Sequence, residues 1–201
     1  MRLRIRVALC TAAEAGTGAR VATQPPAWVD DHVQAVRALL APHGITVTAE
    51  RETFAPALCE VLTRADRDTF AAHAAPHEEG HDGPDPADAK DARTVTVLVL
   101  PRVRDLDVLT YDLMGVHWRA HGQHWIFLTA RAQPPVLAHE LCHYFGLPHD
   151  PAGGNLMTPG PSSPLWKSPH PPRPFAPVLT PRQVERLRAG IAEASAGQKN
   201  K

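Results

Sequence analysis

Cysteine is scarce in this 201-residue chain. Cys10, Cys59 and Cys142 form an odd, sparse set that excludes a disulfide framework, although a single bridge stays open. Long hydrophobic runs are missing too: nothing approaches the roughly 20 apolar residues that a bilayer span requires, so no membrane is expected as a partner. Nor is there an excess of charge of either sign. Lys plus Arg is 21, Asp plus Glu is 21, and the pI is near 7.2. Nucleic acids and anionic membranes select strongly basic surfaces, so nucleic acid is not an expected partner either. A secretory leader is not visible at the amino terminus, MRLRIRVALC. Arg4 and Arg6 interrupt its apolar positions, and only residues 7–10 run without a charge. The expectation is a cytoplasmic protein as encoded, or one exported by a non-classical route.

What is present is a hydrophobic content of 43%, too high for a wholly disordered chain, with 21 prolines and 12 histidines. The prolines limit regular structure, and the histidines supply possible metal ligands. The length fits one domain over residues 1–201, a monomer able to bury roughly two-thirds of its unfolded surface. Leu3, Ile5, Val7 and Leu9 alternate with Arg2, Arg4 and Arg6, a half-buried strand. Residues 11–23 are small and polar and read as a loop. Pro25-Pro26 opens a helix with Val29, Val33, Val36 and Leu40 on one stripe, ended by Pro42 and Gly44. Residues 45–49 alternate as a second strand, and residues 73–91, rich in His, Asp, Gly and Pro, read as a solvated insertion. The β-branched run at 94–100 is the central-strand candidate, with further strands at 116–119 and 125–129 joined through Gly122. A helix runs from Pro134 to Gly146. Residues 159–177 hold eight prolines and predict an irregular wall. Thr180, Pro181 and Gln183 supply a capping box for a last helix, with Val184, Leu187 and Ile191 on its inner face; the tail after Ala196 should fray. The order predicts an α/β (α+β) layer rather than a bundle.

The chemistry concentrates in residues 139–150, HELCHYFGLPHD. His139 and His143 are four apart, so on a helix both imidazoles project from one face and can share a cation. Glu140 lies beside them, placed to take a proton from a water at that site. Gly146 can adopt positive φ, which lets the chain leave the helix sharply and return His149 to the same cation. Three neutral nitrogens with one open position is the arrangement of a catalytic zinc site. By chance the five fixed residues His139, Glu140, His143, Gly146 and His149 would recur in only about one in 10⁴ chains of this length and composition.

HExxHxxGxxHD resembles the extended zinc signature of the metzincin metallopeptidases. Asn155-Leu156-Met157, with Met157 eight residues after His149, is similar to the Met-turn of the matrixin branch, whereas Asp150 directly after the third His is similar to the adamalysin branch. No tyrosine follows Met157, so the fifth, tyrosine ligand of astacin-like and serralysin-like members is not supported. The resemblance implies a zincin-like catalytic domain: a twisted mixed sheet with one antiparallel edge strand, an active-site helix and a small irregular C-terminal subdomain. Residues 1–149 would form the upper subdomain and 150–201 the lower, holding the Met-turn, the proline-rich wall and the last helix. One Zn²⁺ on His139, His143 and His149 would serve a metalloendopeptidase acting on peptides or proteins, with Glu140 as general base. Gly146, Asp150 and Met157 would support the site, and Val116, His117, Trp118 and Arg119 would form the edge strand that receives substrate. Two other functions are compatible with the same fold: a catalytically silent zinc-binding module, against which the presence of Glu140 weighs, and a toxin or injected effector protease with a narrow target.

Other features have plain readings. Cys142 is expected to be a small core hydrophobe. His73, His77 and His81 are spaced for a second metal, but Pro76 and nearby glycines favour an exposed loop. His117, His121 and His124 are expected at solvent-facing strand positions. Tyr111 and His170 are both open as oxyanion donors, and Trp166 and Phe175 either shape a substrate pocket or anchor their loop.

Overall fold

The computed structural model describes residues 1–13, 16–17, 19–54, 94–104, 112–120, 123–151, 153–159 and 176–196. The alternating amino terminus forms strand β1, Arg2–Ala13, the spine of the sheet. Parallel neighbours flank it: β3, Thr46–Phe54, pairs Leu3 with Val47, and β4, Thr94–Leu100, pairs Val7 with Val97. Beyond β4 come β8, Gln123–Thr129, also parallel, and β7, Gly115–Ala120, antiparallel at the sheet edge. Every residue of β4 is buried, as expected of a strand covered on both faces.

The expected loop at 11–23 is corrected by the structure. Strand β1 continues to Ala13 and pairs antiparallel with β2, Arg20–Ala22, with Thr11 opposite Ala22. Backbone pairing alone closes this ladder, and small residues need no apolar alternation to join it. The described strands also include a short antiparallel pair, β5, Val103–Arg104, and β6, Asp112–Leu113.

Pleating divides the side chains into two cores. Leu3, Ile5, Val7, Val97, Ile126 and Leu128 face the helices, whereas Ala8, Cys10, Leu98, Leu100, Trp125 and Phe127 fill the opposite face with Phe54. Cys10 is disulfide-bonded, which settles the open bridge at that residue. Helix α1, Pro26–Leu40, starts on a proline whose missing N–H costs nothing in the first turn. It buries Val29, Val33, Val36 and Leu40, and after a 3-10 turn at Ala41–His43 the chain reverses at Gly44, φ 69°. Helix α2, Pro134–Tyr144, packs beside α1 on the same face, burying Leu137 and Leu141. Helix α3, Pro181–Ala196, closes that core with Leu187 and Ile191. No helix among the described residues is long and apolar enough to cross a membrane.

Candidate metal centre

Helix α2 follows β8 after a short turn, and Pro134 and Pro135 occupy its first turn. One turn apart on its face, His139 and His143 bring their Nε2 atoms to 3.0 Å. Just past the helix end the chain reverses at Gly146, φ 85°, whose N–H donates to the His143 carbonyl at 2.9 Å. That reversal returns His149, whose Nε2 lies 3.2 Å from that of His143 and 3.3 Å from that of His139. Among the described residues, these three form the cluster of His, Cys, Asp or Glu side chains close enough to share a cation.

The hydrogen positions decide what the cluster can do. His139 Nδ1 is 2.7 Å from the Leu156 carbonyl, and His143 Nδ1 is 2.7 Å from the Leu147 carbonyl. A carbonyl only accepts, so in the neutral rings Nδ1 carries the hydrogen and Nε2 presents a lone pair inward. Lone pairs at 3.0 Å repel unless a cation lies between them. Zinc with Zn–N bonds of about 2.05 Å in tetrahedral geometry sets nitrogens ~3.3 Å apart, so the donor set fits that ion. Burial holds all three imidazoles below their ordinary pKa, His139 to about 4, and neighbouring imidazoles add to the lowering at His139 and His149. They are therefore neutral, the form that ligates, at pH 7.

Glu140 points from the same helix toward the sheet edge and is buried. Burial raises its carboxyl to about 8, opposed by a hydrogen bond that the His117 backbone N–H donates to it. Its stem lies against Gly115 of β7, where a Cβ would come within 3.0 Å of Glu140 Cγ and 2.6 Å of Val136 Cγ1. Glycine is what lets β7 and α2 approach this closely.

Below the imidazoles, Met157 is fully buried in the helix-side core. Its N–H donates to Asn155 Oδ1 at 2.8 Å, and its carbonyl accepts the Asp150 N–H at 2.7 Å. Asp150 Oδ2 accepts from Asn155 Nδ2 at 2.8 Å and from Gln183 Nε2 of α3 at 3.3 Å. Gln183 Nε2 also lies 3.1 Å from Asn155 Oδ1. The capping box is formed: Thr180 N–H donates to Gln183 Oε1 at 2.8 Å, and Gln183 N–H to Thr180 Oγ1 at 3.3 Å.

Val116, His117, Trp118 and Arg119 lie in β7, with His117 opposite Ile126 and Arg119 opposite His124. His117 and His124 do not face solvent as expected. Their rings pack at 5.7 and 5.2 Å from Tyr144, because α2 covers this end of the hairpin. Cys142 is a core residue; burial, with Glu140 adding, pushes its thiol up to about 12. His73, His77, His81, Tyr111, His121, Trp166, His170 and Phe175 lie outside the described residues. Sequence reasoning missed the second role of Gln183, the closeness of Gly115 to Glu140, and the His117 amide. For Gln183 the capping box was the local signal, but its other partners lie 28 and 33 residues away.

No protein-family model matches the chain, and no curated protein matches it. Solved structures do. Metalloproteinase-II from Bacteroides fragilis superposes with a TM-score of 0.56 at 16% identity over 94% of this chain, which spans 53% of that one. An archaemetzincin from Methanopyrus kandleri gives a TM-score of 0.54 at 16% identity over 95% of this chain and 96% of its own. At such identity the likeness is one of fold: this chain has the mixed α/β fold of these metallopeptidases, with a twisted mixed sheet and few helices.

Proposed function

We propose that the chain is a metzincin-type, zinc-dependent endopeptidase. One observation carries this: three imidazole Nε2 atoms within 3.3 Å of one another, beside a buried carboxyl on the same helix. His139, His143 and His149 would hold one zinc ion. Bound there, zinc would act as a Lewis acid, lowering the pKa of a water to about 7 and polarising a carbonyl.

The rest falls to the protein. Glu140 takes the proton of the attacking water on a carboxylate oxygen and returns it to the nitrogen of the leaving amine, so the two transfers cancel over a turnover. Its burial suits this role, because desolvation raises the carboxyl's affinity for the proton it takes from the water and then returns to the amine. The His117 amide, by donating to that carboxyl, restrains it beside β7. Strand β7 ends the described sheet, and its outer edge can receive a peptide as an added antiparallel strand through main-chain hydrogen bonds. Asp150 and Met157 support the imidazoles from below without touching substrate.

The test is the Glu140→Ala variant assayed on an unbiased peptide library, with a chelator control. It should bind zinc in wild-type stoichiometry and lose hydrolysis by at least about a hundredfold, the lower range for a general base. Turnover unchanged by the substitution removes Glu140 from the mechanism. Zinc binding without turnover in the wild-type protein makes the chain a silent binding module.

A further inference from the structure

We infer that helix α3, which supplies none of the three imidazoles, fixes the third by clamping the chain on both sides of it, with Gln183 as the positioning residue. The inference rests on the zinc site proposed above. His139 and His143 stand on a helix, and a carbonyl on Nδ1 orients each ring. His149 stands beyond that helix, after the Gly146 reversal, and among the described residues no hydrogen bond to Nδ1 orients its ring. Its placement comes through its neighbours in the chain.

Both neighbours are held by α3. On the near side Gly190 meets Phe145, where α2 ends; a Cβ on Gly190 would stand 2.3 Å from the Phe145 carbonyl oxygen, so helix and chain touch backbone to backbone. On the far side Gln183 reaches Asp150 and Asn155. Its side-chain amide is fully committed. Thr180 N–H can only donate, so Oε1 must face it, and the NH₂ group must then face Asp150 Oδ2 and Asn155 Oδ1. Asn155 in turn holds the Met157 amide through the same Oδ1 and Asp150 through its own NH₂. The adjacent Leu156 carbonyl orients His139. A single glutamine thus ties the start of α3 to the residue after His149 and to the turn that orients His139. Leu187 and Ile191, buried in the helix-side core, keep α3 from shifting.

The hydrogen bonds and the helix cap can be separated by substitution. Gln183→Glu keeps an acceptor for the Thr180 amide, so the cap survives, but it replaces the NH₂ donor with an oxygen facing Asp150 and Asn155. Gln183→Leu removes both halves at similar volume. Thr180→Ala weakens the cap and leaves the NH₂ contacts in place. The measurement is the rate of zinc release to a chromophoric chelator, beside the melting midpoint of each metal-free protein. Release from both Gln183 variants should quicken about ten- to a hundredfold, the usual loss when a group holding a metal ligand is removed. Thr180→Ala should lower the midpoint and leave release at the wild-type rate. Wild-type release from the Gln183 variants overturns the inference. So does faster release from Thr180→Ala, because helix stability would then be the cause. A wild-type protein that takes up no zinc overturns the zinc site itself, and the inference with it.

Discussion

Glu140 is buried and the three imidazoles are partly buried, with opposite consequences for their protons, and the metal-free protein should register both. In the fold the Glu140 carboxyl titrates at about 8 against an ordinary 4.5, so between those values the folded state holds a proton that the unfolded state has lost. Stability therefore falls as pH rises through that window. The imidazoles behave in reverse. His139 is lowered from 6.5 to about 4, and His143 and His149 are lowered too. Below pH 6.5 the unfolded chain takes up protons that the fold refuses, so stability falls as pH drops toward 4. Three imidazoles outweigh one carboxyl on the acid side, and the two arms cross at about pH 6.5–7. Melting midpoints of chelator-treated protein should peak there. In Glu140→Gln, which cannot titrate, the decline between pH 7 and 8 should flatten; an unchanged decline would show that another group causes it.

At the scale of elements, the contact between β7 and α2 decides whether Glu140 is held. A Cβ at position 115 would meet Val136 Cγ1 at 2.6 Å, Glu140 Cγ at 3.0 Å and Leu128 Cδ2 at 3.1 Å, so Gly115→Ala must push strand and helix apart. The cost should be about 1–3 kcal/mol, as for other overpacked sites, read from denaturant unfolding. The proposed peptide hydrolysis should fall further than zinc content, since the Glu140 stem lies in this contact while the His139 and His143 rings are oriented by the Leu156 and Leu147 carbonyls outside it. Hydrolysis and zinc content falling together would place the damage in the whole helix. Much of this architecture is legible in the sequence wherever the signal is local. The apolar stripe Val29, Val33, Val36 and Leu40 marks α1, Gly44 and Gly146 mark reversals at positive φ, and the β-branched run at Thr94–Leu100 is the buried centre of the sheet. The spacing of His139, His143 and His149 anticipates three converging nitrogens. What escapes is set by partners distant in the chain. Residues 11–23 carry no alternation, yet Thr11 pairs with Ala22. His117 and His124 look like solvent-facing strand positions until Tyr144 packs against both. Gln183 is readable as a cap, but its link to Asp150 exists only once α3 has docked.

The molecule as a whole joins two parts of its chain at the three imidazoles. His139 and His143 belong to α2, which is packed on the sheet and on α1, whereas His149 belongs to the segment that runs beneath them to Met157 and α3. A cation shared by all three therefore binds the folded arrangement and not the unfolded chain, and it must stabilise the fold by mass action. At free zinc a hundred times the dissociation constant the gain is about 2.7 kcal/mol, and for a chain of this length each kcal/mol shifts the melting midpoint by roughly 2–4 °C. Zinc should accordingly raise the midpoint of the metal-free protein by about 5–11 °C, and the shift should keep growing with zinc concentration. His149→Ala separates this linkage from adventitious binding. His149 is only partly buried, so its removal should disturb the metal-free midpoint little, yet it leaves two imidazoles on one helix and no tie to the segment below. The zinc-induced shift should then shrink to a small fraction of the wild-type value. Equal shifts in the two proteins would mean that the ion is held by the α2 pair alone, and that the segment from Gly146 to Met157 folds independently of it.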